Sequence, residues 1–254
     1  MNASLGGRTA VLTGAASGIG TAIARRLASE GARLVLADLD EERLRAFAAT
    51  LGEEHATWTG DLSDPVVARG LIDHALTISG RVDILVNNAG GGVLRAFLDH
   101  DEQSIAQTLS RNLLTTIHCC RAALPAMVQA GYGRIVCIGA ESVRSGLDLH
   151  AMYNAAKGGV HGLTTGLARE FAPAGITVNT VAPSIVDTAE VKRLWEPETP
   201  EPMRRLADTA VSLIPLGRPV HPEEVAAAVA YLAGEEAAGV TGQVISVNGG
   251  SSML

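Results

Sequence analysis

Thr13-Gly14-Ala15-Ala16-Ser17-Gly18-Ile19-Gly20 decides the architecture. Before it, Thr9 to Thr13 is a short apolar run. After it, Ile19, Ile23 and Leu27 recur at helical spacing. Strand, glycine turn and helix, in that order, form the context in which glycines serve a dinucleotide. They let the backbone approach a pyrophosphate at a helix N-terminus, where free N–H groups and the dipole favour an anion. A second apolar run, Arg33 to Ala37, closes the unit and leads into Asp38 and Leu39. A carboxylate at that strand end suits adenosine ribose hydroxyls and repels a 2′-phosphate. No Arg or Lys lies between Gly14 and Gly20, nor immediately after Asp38, so the reading favours NAD over NADP. A helix cap is the plainer role for Asp38, because Asp40, Glu41 and Glu42 crowd a helix start.

The same alternation continues outward. Residues 41–51 read as a polar helix and His55 to Thr59 as a strand, with Asp61 beyond it where it could face adenine. Ser63 or Asp64 can cap the helix over 66–79. Asp83 to Val86 is a strand running into Asn87-Asn88-Ala89-Gly90, where amides can tie strands together and small residues leave room for a flat cofactor. The stripe Ile105, Leu109, Leu113, Ile117, Cys120, Leu124, Met127 predicts one long helix over Asp101 to Ala130, with Asn112 one position off it. Gly133 to Ile138 and Ile176 to Val181 are further strands, the second leaving as a loop through Ala182 and Thr188. Between them lies a helix carrying Tyr153 and Lys157. Residues four apart share a helix face. An ammonium beside a phenol favours the phenolate, lowering a pKa normally about 10 and making a proton donor and acceptor. Trp195, Pro197, Pro200 and Pro202 break the rhythm, and a long Pro-rich segment suggests a lid or binding loop. Pro222 to Ala233 is a helix, and Gln243 to Val247 a last strand.

Composition narrows the function. A net charge of −7 argues against general nucleic-acid binding. No apolar run is long enough to span a bilayer. Met1 to Arg8 lacks a signal-peptide pattern. Cys119, Cys120 and Cys137 have no metal-ligand spacing, so no metal is expected, and a reduced cytoplasmic setting is. With aromatics at only 3%, the core must be built from Ala, Val, Leu and Ile.

The glycine motif at 13–20, Asn-Asn-Ala-Gly at 87–90, Asn112 and Tyr153-x-x-x-Lys157 occur in one order over nearly the whole chain. This pattern resembles the short-chain dehydrogenase/reductase family. The resemblance implies an α/β, Rossmann-like, doubly wound fold: a mainly seven-stranded parallel sheet with helices on both faces. It implies one domain over 1–254 with a substrate-binding insert at about 187–212, and a homotetramer or homodimer. Tyr153 would be the general acid/base, Lys157 would lower its pKa and hold the nicotinamide ribose, and Asn112 would hold a water in a proton relay. Gly14, Ser17, Gly18, Ile19 and Gly20 would line the pyrophosphate, and Asp38 and Leu39 the adenosine ribose. Asp61 and Leu62 would flank adenine, with Asn88, Ala89 and Gly90 beside them. Pro183, Ile185 and Thr188 would hold the nicotinamide end.

The chain departs from that pattern where the family has a serine before the tyrosine: Ala140 stands there. Ser142, two residues on, would face the same side of an extended segment and so supply the missing hydroxyl. Ala140, Ser142, His150, Met152, Val186 and the loop around Trp195 are expected to line the substrate pocket. Together these imply hydride transfer between a secondary alcohol or carbonyl and NAD. A weaker resemblance, carried by Asn87 to Gly92, the Cys119-Cys120 run and the Pro-rich insert, is to cis-dihydrodiol dehydrogenases. A 3-oxoacyl-type ketoreductase is the alternative, and a non-catalytic NAD-binding regulator the alternative of another class.

Overall fold

The computed structural model describes residues 4–253. Of the Met1–Arg8 stretch, residues 1–3 therefore lie outside the described part. In chain order the elements are β1 (Thr9–Thr13), α1 (Gly18–Ser29), β2 (Arg33–Asp38), α2 (Glu41–Ala48), β3 (Ala56–Thr59), α3 (Pro65–Ser79) and β4 (Ile84–Asn87). There follow α4 (Glu102–Leu109), α5 (Thr115–Ala130), β5 (Gly133–Ile138), α6 (Ser142–Ser145), α7 (Ala151–Phe171), β6 (Ile176–Pro183), α8 (Ala189–Lys192), α9 (Glu201–Ser212), α10 (Pro222–Ala233) and β7 (Val244–Val247).

The seven strands form one parallel sheet in the order β3-β2-β1-β4-β5-β6-β7. The chain starts mid-sheet, winds out to β3, then returns to lay β4 on the other side of β1. At that reversal the crossovers diverge and leave a crevice at the carboxyl ends of β1 and β4, where ligands of such sheets bind. Strand alternation sends Ala10, Leu12, Leu34 and Leu36 into one core with α1, α2 and α10. Val11, Val35 and Leu85 go into another with α3, α5 and α7. Being covered on both faces is why these strands read as continuous apolar runs. Helix ends are fixed locally. Asp64 caps α3 through Val66 N, Pro65 follows it, and Gly80 closes the helix in the left-handed conformation.

Two elements depart from expectation. The helix over Asp101 to Ala130 is interrupted by a π-turn at Ser110–Leu114. The buried face of α4 is Ser104 and Thr108, continued by Asn112, rather than the apolar stripe of Ile105 and Leu109. Their polarity is tolerated because Thr108 and Thr116 donate their hydroxyls to Ser104 O and Asn112 O. Asn112 thus points inward, not off the packed face. β6 runs on through Pro183, which pairs with Val247 and whose carbonyl accepts from Glu141 N. A proline is acceptable there because it ends the strand.

Candidate active site

A cavity of about 650 Å³ opens at the switch point between β1 and β4. Gly14, Ser17, Gly18 and Ile19 form its floor, Asp38 and Leu39 one end, Asp61 and Leu62 the adjacent wall, and Asn88, Ala89 and Gly90 the side over β4. Gly14 has φ +63°, and a Cβ on it would sit 2.8 Å from Ala89 Cα, so only glycine brings the turn this close. Ser17 caps α1 by accepting from Gly20 N at 3.0 Å. Asn88 Nδ2 donates to Thr13 O (3.1 Å) and Gly14 O (2.9 Å), tying β4 to the turn. Asp38 accepts from Ala16 N at 2.9 Å and Asp40 N at 3.2 Å. The N-cap of α2 is Asp40, not Asp38. A helix N-terminus over a glycine floor, with a carboxylate at the far end, is a donor set that fits a nicotinamide dinucleotide.

A second cavity of about 370 Å³ adjoins the first. Ile19, Gly91, Ile138, Tyr153 and Thr188 line both. Tyr153 therefore stands in the wall between them. Burial pushes its phenol up to about 12. Lys157 faces the first cavity; its Nζ donates to Ile138 O at 2.8 Å and lies 5.9 Å from the Tyr153 ring centroid. Burial brings it down to about 8, opposed by Cys137. The second cavity is walled by Leu147, Val186, Leu194, Met203 and Leu206, with polar groups at Glu141, Ser142, His150 and Ser251.

The family model described as Enoyl-(Acyl carrier protein) reductase matches residues 14–252. The 2,3-dihydroxy-2,3-dihydro-p-cumate dehydrogenase of Pseudomonas putida is 52% identical, over 98% of this chain and 96% of that protein. The D-threitol dehydrogenase of Mycolicibacterium smegmatis is 36% identical, over 97% and 93%. The 3-oxoacyl-[acyl-carrier-protein] reductase of Escherichia coli is 35% identical, over 98% of each. A solved structure, that of gox2181, superposes with a TM-score of 0.89 at 32% identity, over 98% of each chain. The chain is a short-chain dehydrogenase/reductase. It is an oxidoreductase acting on CH–OH groups of a small molecule with NAD(P), and among the described residues no helix is long and apolar enough to cross a membrane.

Several expected site residues of this dehydrogenase/reductase stand differently in the structure. Ser142 does not follow an extended segment, because Glu141 is already helical and Ser142 opens α6. It still lines the second cavity, with its hydroxyl donated to Asn154 Oδ1 at 2.6 Å. Trp195 is turned away from the cavity; it is 39% exposed and its indole donates to Asp208 Oδ1, pinning the segment to α9. Its neighbours Val191 and Leu194 line the wall instead, and Met152 does not. Gly20 is packed beneath the turn, where a Cβ would meet Gly14 O at 2.1 Å. Asn112 lies behind the cavities with its carboxamide bonded to Gly91 and Thr108. Pro183 and Ile185 line the second cavity, with Ala140 and His150, and Thr188 both. The lowered tyrosine pKa expected from Lys157 is reversed, since burial outweighs an ammonium engaged by Ile138 O.

Sequence reading passed over Arg43, Arg111 and Glu190, all on the wall of the first cavity. Arg43 Nη2 reaches Ala16 O at 3.1 Å and Glu190 Oε1 at 3.3 Å. Its signal was available: it is one turn into the helix that follows Asp38, so it faces back over the same strand end.

Proposed function

We propose that this dehydrogenase/reductase oxidises a cyclic cis-dihydrodiol with NAD, using Tyr153 as the general base. The observation that carries the reading is Tyr153 in the wall shared by the two cavities. Bound NAD supplies the hydride acceptor; the protein's part is orientation and proton control. The substrate alcohol enters the 370 Å³ cavity with its oxygen toward Tyr153. Tyr153, as phenolate, would take the proton from the hydroxyl oxygen while the carbon bearing that oxygen gives up its hydride to the bound acceptor, leaving a carbonyl. In the reverse direction the phenol returns the proton. Lys157 would hold the cofactor ribose, Ser142 would contact the substrate oxygen, and Asn112 fixes Gly91 in the wall shared by the two cavities. Asp38 takes the adenosine ribose hydroxyls.

The 52% identity to a dihydrodiol dehydrogenase favours this substrate class over a 3-oxoacyl thioester, whose relative stands at 35%. The apolar wall suits a ring. NAD over NADP rests on Asp38, with Glu190 engaging Arg43 on the same cavity wall at 3.3 Å. The chain acts as one domain, its 187–212 segment covering the substrate, and works in the cytoplasm as a homotetramer or homodimer.

Reduced-nicotinamide absorbance, followed with NAD or NADP and a panel of cis-dihydrodiols and cyclic alcohols, tests the reading. Turnover with NAD and a dihydrodiol supports it. Tight NADH binding with no turnover of any alcohol overturns it in favour of a non-catalytic binder.

A further inference from the structure

The substrate-side cavity sets polar groups, among them Glu141, Ser142, His150 and Ser251, into a largely apolar wall. Glu141 lies between Ala140 and Ser142 and is 2% exposed. Its backbone is pinned, N–H to Pro183 O and carbonyl to Arg144 N. Its Oε1 accepts from Ser252 Oγ. Its Oε2 is buried with no partner, and so is the hydroxyl of Ser251, which lines the same cavity. Two orphaned polar atoms on residues lining one cavity are unusual, because buried polar groups are nearly always paired. The segment carrying the serines is itself held: Asn248 Nδ2 donates to Ser252 O and Gly250 N to Asn248 Oδ1.

We propose that Glu141 and Ser251 bind the second hydroxyl of a vicinal diol whose first hydroxyl faces Tyr153. A hydroxyl both donates and accepts, so one such group satisfies Glu141 Oε2 and Ser251 Oγ together, whichever of the two supplies the other proton. Ala140 offers no hydroxyl, so discrimination falls to its neighbour. A site with polar atoms placed for a hydroxyl rejects an analogue lacking it far more strongly than an apolar pocket rejects a missing methylene. This inference rests on the dehydrogenase reading above and names the group that would make the enzyme a diol enzyme.

The test is kcat/KM with NAD for a benzene cis-dihydrodiol, cis-vicinal cyclohexanediol and cyclohexanol, on the full chain. The wild type should favour the diols. Glu141→Leu should lower the diol-to-cyclohexanol ratio by about 10–100-fold. Glu141→Gln keeps an acceptor and should lower it less. Ser251→Ala leaves the Ser252–Glu141 bond intact and should lower the ratio by several-fold, so it carries the test if Glu141→Leu does not fold. Equal losses on both substrate classes in Glu141→Gln and Ser251→Ala mean a structural role and overturn the proposal. A wild type that turns over cyclohexanol as well as the diols overturns it too while leaving alcohol oxidation standing. A wild type that turns over no alcohol overturns both readings.

Discussion

Asn112 grips Gly91 at both of its backbone polar groups, accepting from Gly91 N at 3.1 Å and donating to Gly91 O at 2.8 Å. The side chain imitates a neighbouring strand. Gly91 has φ +151°, so its conformation is one only glycine holds easily, and the carboxamide keeps it there. Asn112→Ala should therefore cost about 2–4 kcal/mol, from lost bonds and orphaned amides. It should also weaken NADH binding by about 10-fold or more, as the step beside Tyr153 loosens. Denaturant unfolding and a fluorescence titration with NADH check both numbers. Unchanged NADH affinity would mean that the step does not support the cofactor.

Tyr153 is held as a phenol at neutral pH by burial. A base must first lose its proton, so alcohol oxidation should rise with pH, close to tenfold per unit between about pH 6 and 8. Carbonyl reduction uses the phenol and should stay flat there. Tyr153→Phe should lose about 10³-fold in kcat while still binding NADH. Rate profiles in both directions read this out. A flat oxidation profile in the wild type would assign the proton transfer elsewhere.

The Arg43–Glu190 pair stands on the wall of the first cavity with Asp38. A 2′-phosphate would meet the Asp38 carboxylate before it met a free cation. Replacing Asp38 with Asn, and with it Glu190 with Gln to release Arg43, should shift the NAD-to-NADP preference by about 10–100-fold toward NADP. The ratio of kcat/KM values measures it. A ratio that does not move would show that neither carboxylate selects the cofactor.

His161 packs against Gly139 with Nε2 unpartnered, and burial first, then Arg144 and Lys157, lower it to about 4. The unfolded chain then binds a proton that the folded chain refuses. The stability linked to it is complete above about pH 6.5 and is lost as the pH falls toward about 4. His161→Leu should flatten that part of the Tm-against-pH curve. The same slope in the variant would point to another group.

The sheet was legible because its strands are covered on both faces and so print as largely apolar runs: Thr9–Thr13 and Gly133–Ile138 have the bounds the sequence gives. Ends set by tertiary contacts were not. β6 continues to Pro183 because β7 supplies a partner for it, which no local rule predicts. Asn112 looked misplaced because a one-residue π insertion rotates the helix, and periodicity counts assume none. Trp195 was expected at the pocket because it sits in the Pro-rich segment that suggests a binding loop, but its indole turns to Asp208. The orphaned oxygen of Glu141 has no signature in sequence at all, since it depends on how residues 248–252 fold back over it.

Thr188 stands on both cavity walls. It caps α8 by accepting from Val191 N, and it lies so close to the glycine turn that a Cβ on Gly18 would come within 2.7 Å of it. A ligand seated against Gly18 therefore lies beside the cap of α8, which carries part of the surface of the second cavity. With Thr188 shared, filling the first cavity is expected to raise affinity in the second. Thermodynamic reciprocity then requires that a dead-end ternary complex hold its coenzyme more tightly by the same factor that the coenzyme tightens the second ligand.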